Sequence, residues 1–411
     1  MTKPPVQHAS SSNFPVQDGC LQVGGMALTR LAARVGQTPF FAYDRRLLDE
    51  RVASLRALLP ADVDLHYSVK ANPMPAVVQH MARLVDGLDV ASGGELRVAL
   101  DTVMPASQIS FAGPAKTDAE LSQAIAAGVL ISLESLGQAE NAARIGADLG
   151  IQARVLLRVN PDFEMKSSGM RMGGGAKQFG IDSEQAPAAL EAIGKLGLDF
   201  HGLQIFSGSQ SLNAGAIIEA QARTLALACT LAACAPCTPR LINIGGGFGI
   251  PYFPVDVALD VAPISAALAE AMAAFRQVIP QARIVIELGR YLVGEAGVYV
   301  TRVVDRKVSR GQVFLVTDGG MNHHLAASGN LGQVIRKNYP VMIGNRLAAE
   351  EREIVSVVGP LCTPLDMLAD RMALPVAQVG DLVVVLQSGA YGASASPVGF
   401  LSRPAAVEVL L

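Results

Sequence analysis

Eight strand–helix units followed by a run of β-branched segments predict an α/β chain. The expected architecture is a (β/α)8 TIM-type barrel, residues 40–295, with a second, mostly β domain made of residues 1–39 and 296–411. Three observations lead there. Short apolar runs alternate with helical patterns throughout the first region. That alternation fits parallel strands covered on both faces. Beyond residue 295 the texture changes to β-branched runs separated by turns. With 411 residues, 50% of them hydrophobic, and mean hydropathy +0.34, there is material for a large core, and length alone suggests roughly two to three domains.

Taken in order, strands are expected at 63–69, 86–90, 108–111, 129–133, 152–159, 199–206, 240–245 and 283–287, with helices such as 73–84, 117–126, 137–149, 214–235 and 263–278 between them. The second domain is read from Gly297-Val298-Tyr299-Val300, Gln312 to Val316, Glu353 to Val358 and Leu382 to Leu386. The stretch Phe14 to Val23 has the same short-strand texture and is expected to pair with it.

Charge excludes several functions. Lys+Arg of 33 against Asp+Glu of 36 gives a net charge of -3 with no long block of either sign. Neither nucleic acid nor an anionic membrane is favoured, and small molecules and protein are the expected partners. The first residues carry no apolar signal core, and apolar runs break well before the ~18 residues a span needs, so a cytoplasmic enzyme is expected. Five cysteines, an odd number in a long chain, fit a reducing compartment. Cys234-Ala-Pro-Cys237 has no second pair or nearby histidine, and His323-His324 on a strand would point to opposite faces, so no metal site is expected.

Active sites of such barrels gather at the C-terminal strand ends. Lys70, in Tyr67-Ser68-Val69-Lys70, ends the first apolar strand. A buried lysine loses its charge readily, and the neutral amine attacks an aldehyde, so this is where pyridoxal 5'-phosphate (PLP) would form a Schiff base. A structural lysine paired with a carboxylate is the ordinary alternative. Asp89 ends the second strand, Arg158 the fifth, and Ser209 follows the sixth; Gly245-Gly246-Gly247-Phe248-Gly249 follows the seventh and Glu287 ends the eighth. Singly, each reads as an ion pair or a turn. Together they describe a site for a phosphate and a heterocycle. The glycine run lets backbone N–H groups approach a phosphate, is expected to open onto a helix N-terminus, and does not match the dinucleotide pattern GxGxxG. Glu287, accepting from a pyridine nitrogen, would keep that nitrogen protonated and the ring a strong electron sink.

The chain resembles the diaminopimelate/ornithine decarboxylase family of PLP enzymes from about Phe14 to the C-terminus. The shared motifs, in family order, are Tyr67 to Asn72, Ser92-Gly93-Gly94-Glu95, Gly208-Ser209-Gln210, the glycine run, Glu287 with Gly289-Arg290, Gly359-Pro360-Leu361-Cys362 and Gly389-Ala390-Tyr391-Gly392. The resemblance implies that Ser209, Gly246, Gly247, Gly289, Arg290 and Tyr391 bind the cofactor, chiefly its phosphate, with Asp89 and Arg158 also lining it. It further implies a homodimer with shared active sites, into which Cys362 reaches from the neighbouring subunit.

Departures bear on the substrate. Phe206 stands where the family has a histidine against the ring; it can stack but cannot donate a proton. Diaminopimelate decarboxylases grip the distal end of their substrate with an Arg, a Tyr and a Glu, and an ungapped alignment puts Ala326, Asn330 and Thr363 at those substrate-binding positions, with Arg336 or Tyr339 able to compensate. A PLP-dependent α-decarboxylase of an L-amino acid or aminoacyl substrate, free or carrier-bound, is the expectation. It resembles an offshoot associated with exosortase gene clusters and with decarboxylases of carrier-tethered aminoacyl groups. Diaminopimelate decarboxylase itself is the first alternative. A non-catalytic PLP-binding homologue is the second, and an alanine-racemase-like enzyme is disfavoured by Glu287.

Overall fold

The apolar runs of the first region form a ring of eight parallel strands in the computed structural model, which describes residue 8 and residues 13–165, 168–171, 173–331, 333 and 336–411. The ring consists of β1 (Val63–Ser68), β2 (Gly87–Val90), β3 (Ile109–Phe111), β4 (Leu130–Leu133), β5 (Arg154–Asn160), β6 (Asp199–Ile205), β7 (Leu241–Gly246) and β8 (Arg283–Leu288). Each strand pairs with the next, and β8 closes on β1. Strands such as β7 are buried along their whole length, which is why their sequences lack the alternation of a half-exposed sheet.

The intervals are filled by α1 (Pro75–Met81), α2 (Gly93–Leu100), α3 (Asp118–Ala127), α4 (Leu136–Leu149), α5 (Ala186–Lys195), α6 (Ala214–Ala232) and α7 (Ala262–Phe275). Their starts are written locally. Ser92, Ser135 and Asn213 cap α2, α4 and α6 through side-chain oxygens, and Thr117 with Glu120 forms a capping box on α3. The motif Ser92-Gly93-Gly94-Glu95 is therefore a helix start: Glu95 Oε2 also accepts the Ala91 N–H at 2.8 Å.

The chain divides into two compact units, Arg51–Ile250 with Leu259–Gly289, and residues up to Glu50 with Pro251–Ala258 and Arg290–Leu411. The edges differ from residues 40 and 295. Phe40–Tyr43, four buried residues, pairs with β9 (Gly297–Ser309) and with Val407–Leu410, and so belongs to the β-rich unit. The other strands there are β10 (Gln312–Thr317), β11 (Val341–Ile343), β12 (Arg352–Val358), β13 (Met367–Pro375) and β14 (Leu382–Val385), in the order β11-β14-β9-β10-β12-β13. Its core gathers Phe14, Leu28, Phe40, Val298, Val300 and Val384.

Two expectations are corrected in this unit. The stretch Phe14 to Val23 does not join the large sheet; it makes a separate three-stranded one, because the left-handed turn at Asp18-Gly19 (φ 51° and 70°) folds it back after a few residues. Single backbone bonds, Leu21 N to Gly344 O and Leu347 N to Gly19 O, both 2.8 Å, tie it down. His323 and His324 lie in a turn, not a strand, and both are buried. His323 Nε2 meets Pro404 O at 2.9 Å and His324 Nε2 meets Ser388 Oγ at 3.0 Å.

Candidate active site

Lys70 lies in the 3-10 turn Val69–Ala71 directly after β1. The side chain is exposed, which corrects the expectation of a desolvated amine: Val69 and Ala71 take the buried positions and Lys70 is left facing out. Its Nζ sits 5.8 Å from the centroid of the Phe206 ring. Ser68, Lys70, Asp89, Gln204 and Glu287 line one small cavity.

Asp89 neighbours Ser68 in the β1–β2 register. Its Oδ1 takes the hydroxyl of Ser110 and faces His66 Nδ1 at 3.2 Å, while its buried Oδ2 has no partner among the described residues. Burial works against charge on His66, but Asp89 outweighs it and the histidine pKa is raised. Glu287 neighbours both Gly246 and His66 across its two strand pairings. Its Oε2 accepts from Gln204 Nε2 at 2.7 Å and Asn243 Nδ2 at 2.9 Å. Burial, and then the charge of Asp89, push its pKa up against the opposing pull of Lys70 and Arg158.

Arg158 donates from Nη1 to Glu134 Oε1 at 2.9 Å and its guanidinium lies 5.1 Å from the Phe179 ring. The ordinary reading of Arg158 as an ion-pair partner thus holds in part. Behind it, Lys116 donates to Gly113 O, Ser132 O and Gln138 Oε1 at 2.7, 2.7 and 3.1 Å, and burial pulls its pKa down to about 8.

The glycine run makes a cradle. Gly247 has φ 83°, and a Cβ there would stand 2.5 Å from Gly208 O, so no side chain fits. Ser209, half-buried, sits on the neighbouring strand Gly208–Ser211. The expected helix N-terminus is absent at this point: α7 begins only at Ala262, so the cradle is backbone and hydroxyl alone.

The remaining candidates lie in the β-rich unit. Arg290 donates from Nη1 to Tyr252 Oη at 2.9 Å, its guanidinium is 4.6 Å from the Tyr391 ring centroid, and its buried Nε has no partner among the described residues. Cys362 is exposed. Its turn is held by Asp366, whose Oδ2 accepts Leu361 N at 2.8 Å while Oδ1 accepts Met321 N at 2.6 Å. Thr363 Oγ1 accepts Leu365 N at 3.3 Å. Ala326 is buried, and Asn330 Nδ2 donates to Ser328 Oγ at 2.7 Å and Leu365 O at 3.1 Å.

These residues suit PLP. An accessible amine can take an aldehyde, and a carboxylate engaged through one oxygen has the other left for a ring N–H. The side-chain-free cradle with a hydroxyl suits a phosphate. A parallel barrel with this set at its C-terminal strand ends defines a PLP-type enzyme of the barrel class. The family model described as the pyridoxal-dependent decarboxylase, pyridoxal binding domain, matches residues 45–294. L-glutamyl-[BtrI acyl-carrier protein] decarboxylase of Niallia circulans is 37% identical over 93% of this chain and 90% of its own. Diaminopimelate decarboxylase of Aquifex aeolicus is 32% identical over 96% and 91%. The solved diaminopimelate decarboxylase of Helicobacter pylori in complex with L-lysine superposes with TM-score 0.83 at 25% identity, covering 93% of this chain and 94% of that one. The chain belongs to the PLP-dependent decarboxylases: it is a carboxy-lyase, diaminopimelate decarboxylase-like in fold and function.

Residues that hold the site went unread in the sequence: His66 and Ser110 on Asp89, Glu134 on Arg158, Gln204 and Asn243 on Glu287, Asp366 behind Cys362. A signal existed for several. Leu65-His66-Tyr67, Leu203-Gln204-Ile205 and Ile242-Asn243-Ile244 each set one polar residue inside an apolar strand, which a packed barrel tolerates only when that residue is bonded.

Proposed function

We propose that this carboxy-lyase binds PLP through Lys70 and removes the α-carboxylate of an aminoacyl group tethered to a carrier through its side-chain carboxyl. Bound PLP supplies the electron sink for the pair released when the bond from Cα to the carboxylate breaks. Lys70 provides the covalent attachment; Glu287 holds a proton at the ring nitrogen; Phe206 packs on the ring face. Ser209, Gly246, Gly247, Gly289, Arg290 and Tyr391 hold the phosphate, with Asp89 and Arg158 setting the surrounding charge. Cys362 of a second copy delivers the proton to Cα, in a cytoplasmic homodimer.

One observation supports the tethered substrate above others: the three positions aligned with the family's distal anchors carry no charged side chain. Ala326, Asn330 and Thr363 occupy the anchor positions, and both candidate substitutes are spent within their own unit. Arg336 donates from Nε to Ser328 O at 3.1 Å, from Nη1 to Asn338 Oδ1 at 2.9 Å and from Nη2 to Met367 O at 2.7 Å. Tyr339 is buried with its ring 4.6 Å from that of Tyr252. A substrate whose distal carboxyl is masked as a thioester or amide needs no such anchor, while its α-amine and α-carboxylate stay free to react. The relative from Niallia circulans is named for a glutamyl group on an acyl-carrier protein, which agrees.

CO2 release is measured from glutamyl and other aminoacyl groups on a carrier protein, from free amino acids and from meso-diaminopimelate. The tethered group is expected to be preferred, with meso-diaminopimelate lower by several orders of magnitude, since each missing charge-assisted bond is worth roughly 1.5–3 kcal/mol. A kcat/KM of about 10⁴ M⁻¹s⁻¹ or more on meso-diaminopimelate would instead make lysine formation the function.

A further inference from the structure

Glu287 is 6% exposed, and both of its hydrogen bonds fall on one oxygen. We propose that Gln204 and Asn243 are positioning residues for the pyridine nitrogen: they grip Glu287 through Oε2 so that Oε1 is the oxygen presented to a ring N–H. This rests on the PLP reading above.

The geometry is specific. Gln204 and Asn243 are direct neighbours in the β6–β7 register and each is 2% exposed, so two amides are buried side by side where unbonded amides would be costly. The orientation of Asn243 is decided by a third group. Its Oδ1 faces the Gly245 N–H at 2.8 Å; a backbone N–H can only donate, so that atom is the oxygen and Nδ2 must face Glu287. Gly245 opens the glycine run, so one amide ties the phosphate cradle to the carboxylate. Gln204 is oriented by the carboxylate itself, because its own oxygen there would repel. Two N–H donors on one oxygen fix the carboxylate plane and favour its ionised form against burial and the nearby Asp89. Among the described residues nothing donates to Oε1, and Glu287 lines the cavity shared with Lys70.

The test loads wild type, Gln204→Met and Asn243→Leu with PLP labelled with ¹⁵N at the ring nitrogen. It reads the ¹⁵N chemical shift against pH together with the PLP dissociation constant. Each variant keeps side-chain size without a donor and adds no charge beside Glu287. Wild type should hold the nitrogen protonated across the neutral range. Each variant should let it lose the proton within that range, with the dissociation constant up roughly tenfold, the size of one charge-assisted bond. Gln204→His, which puts back a ring N–H, should return the shift to its wild-type course. A nitrogen that titrates as in wild type in both variants, each folded by circular dichroism, overturns the proposal alone. A wild-type chain that takes up no PLP overturns it together with the reading it rests on.

Discussion

The two units position their candidate residues by different means. In the barrel unit a residue's place follows from its strand: Asp89, Arg158, Gly246 and Glu287 sit near the C-terminal ends of β2, β5, β7 and β8, and parallel pairing gathers those ends on one rim. In the β-rich unit Arg290 begins the one-turn helix Arg290–Val293, while Cys362, Thr363 and Tyr391 sit in bends and turns that no ladder places. Cys362 is held because Asp366 captures two backbone N–H groups from segments far apart in sequence. Regular pairing makes a site legible from element order, whereas a side-chain carboxylate does the same work invisibly until the chain is folded.

The largest effect should come from the barrel unit. Lys70→Ala is expected to abolish both CO2 release and the borohydride-fixed PLP adduct, read by absorbance and intact mass. An adduct that persists would put the attachment on another lysine and break the link between strand end and chemistry.

Cys362→Ala should slow CO2 release by about 10²–10⁴-fold while PLP uptake is unchanged, the range for loss of a general acid. Mixing it with Lys70→Ala should restore up to about a quarter of wild-type activity through dimers that build one intact site. Demonstrated subunit exchange with no recovery would remove the shared site.

The units should also part company in pH. His324 is fully buried and burial depresses its pKa to about 3, so the folded β-rich unit binds fewer protons than the unfolded chain. Its stability is full above the ordinary histidine pKa of about 6.5 and falls with pH below it, by up to ~5 kcal/mol. His66 in the barrel has the opposite sign: its raised pKa gives stability that is present in acid and lost as pH rises through the folded value. Hydrogen exchange from neutral to acid pH should show β9 and β14 opening before β1 and β2, and His324→Leu should flatten the acid loss.

The smallest change expected is at Asp366. Its Asn variant offers one acceptor oxygen where two N–H groups are now held, costing roughly 1–3 kcal/mol and loosening the turn that carries the already exposed Cys362, read as a changed thiol-labelling rate. Unchanged melting and labelling would mean the turn is held by packing instead.

By itself, the sequence determined the alternation of strands and helices, the placement of Lys70, Asp89, Arg158 and Glu287 at or just after strand ends, and the family motifs, because each is written locally in hydrophobic period, capping residues or a short motif. Tertiary structure decided what depends on residues distant in the chain. It left Lys70 exposed on the cavity it shares with Asp89 and Glu287, drew Phe40–Tyr43 into the β-rich sheet, folded the stretch before Val23 onto itself and set α7 well clear of the glycine run. It also chose the partners of Glu287: Gln204 and Asn243 lie 83 and 44 positions away. A buried polar residue announces in sequence only that it needs a partner; closure of the barrel decides which one it finds.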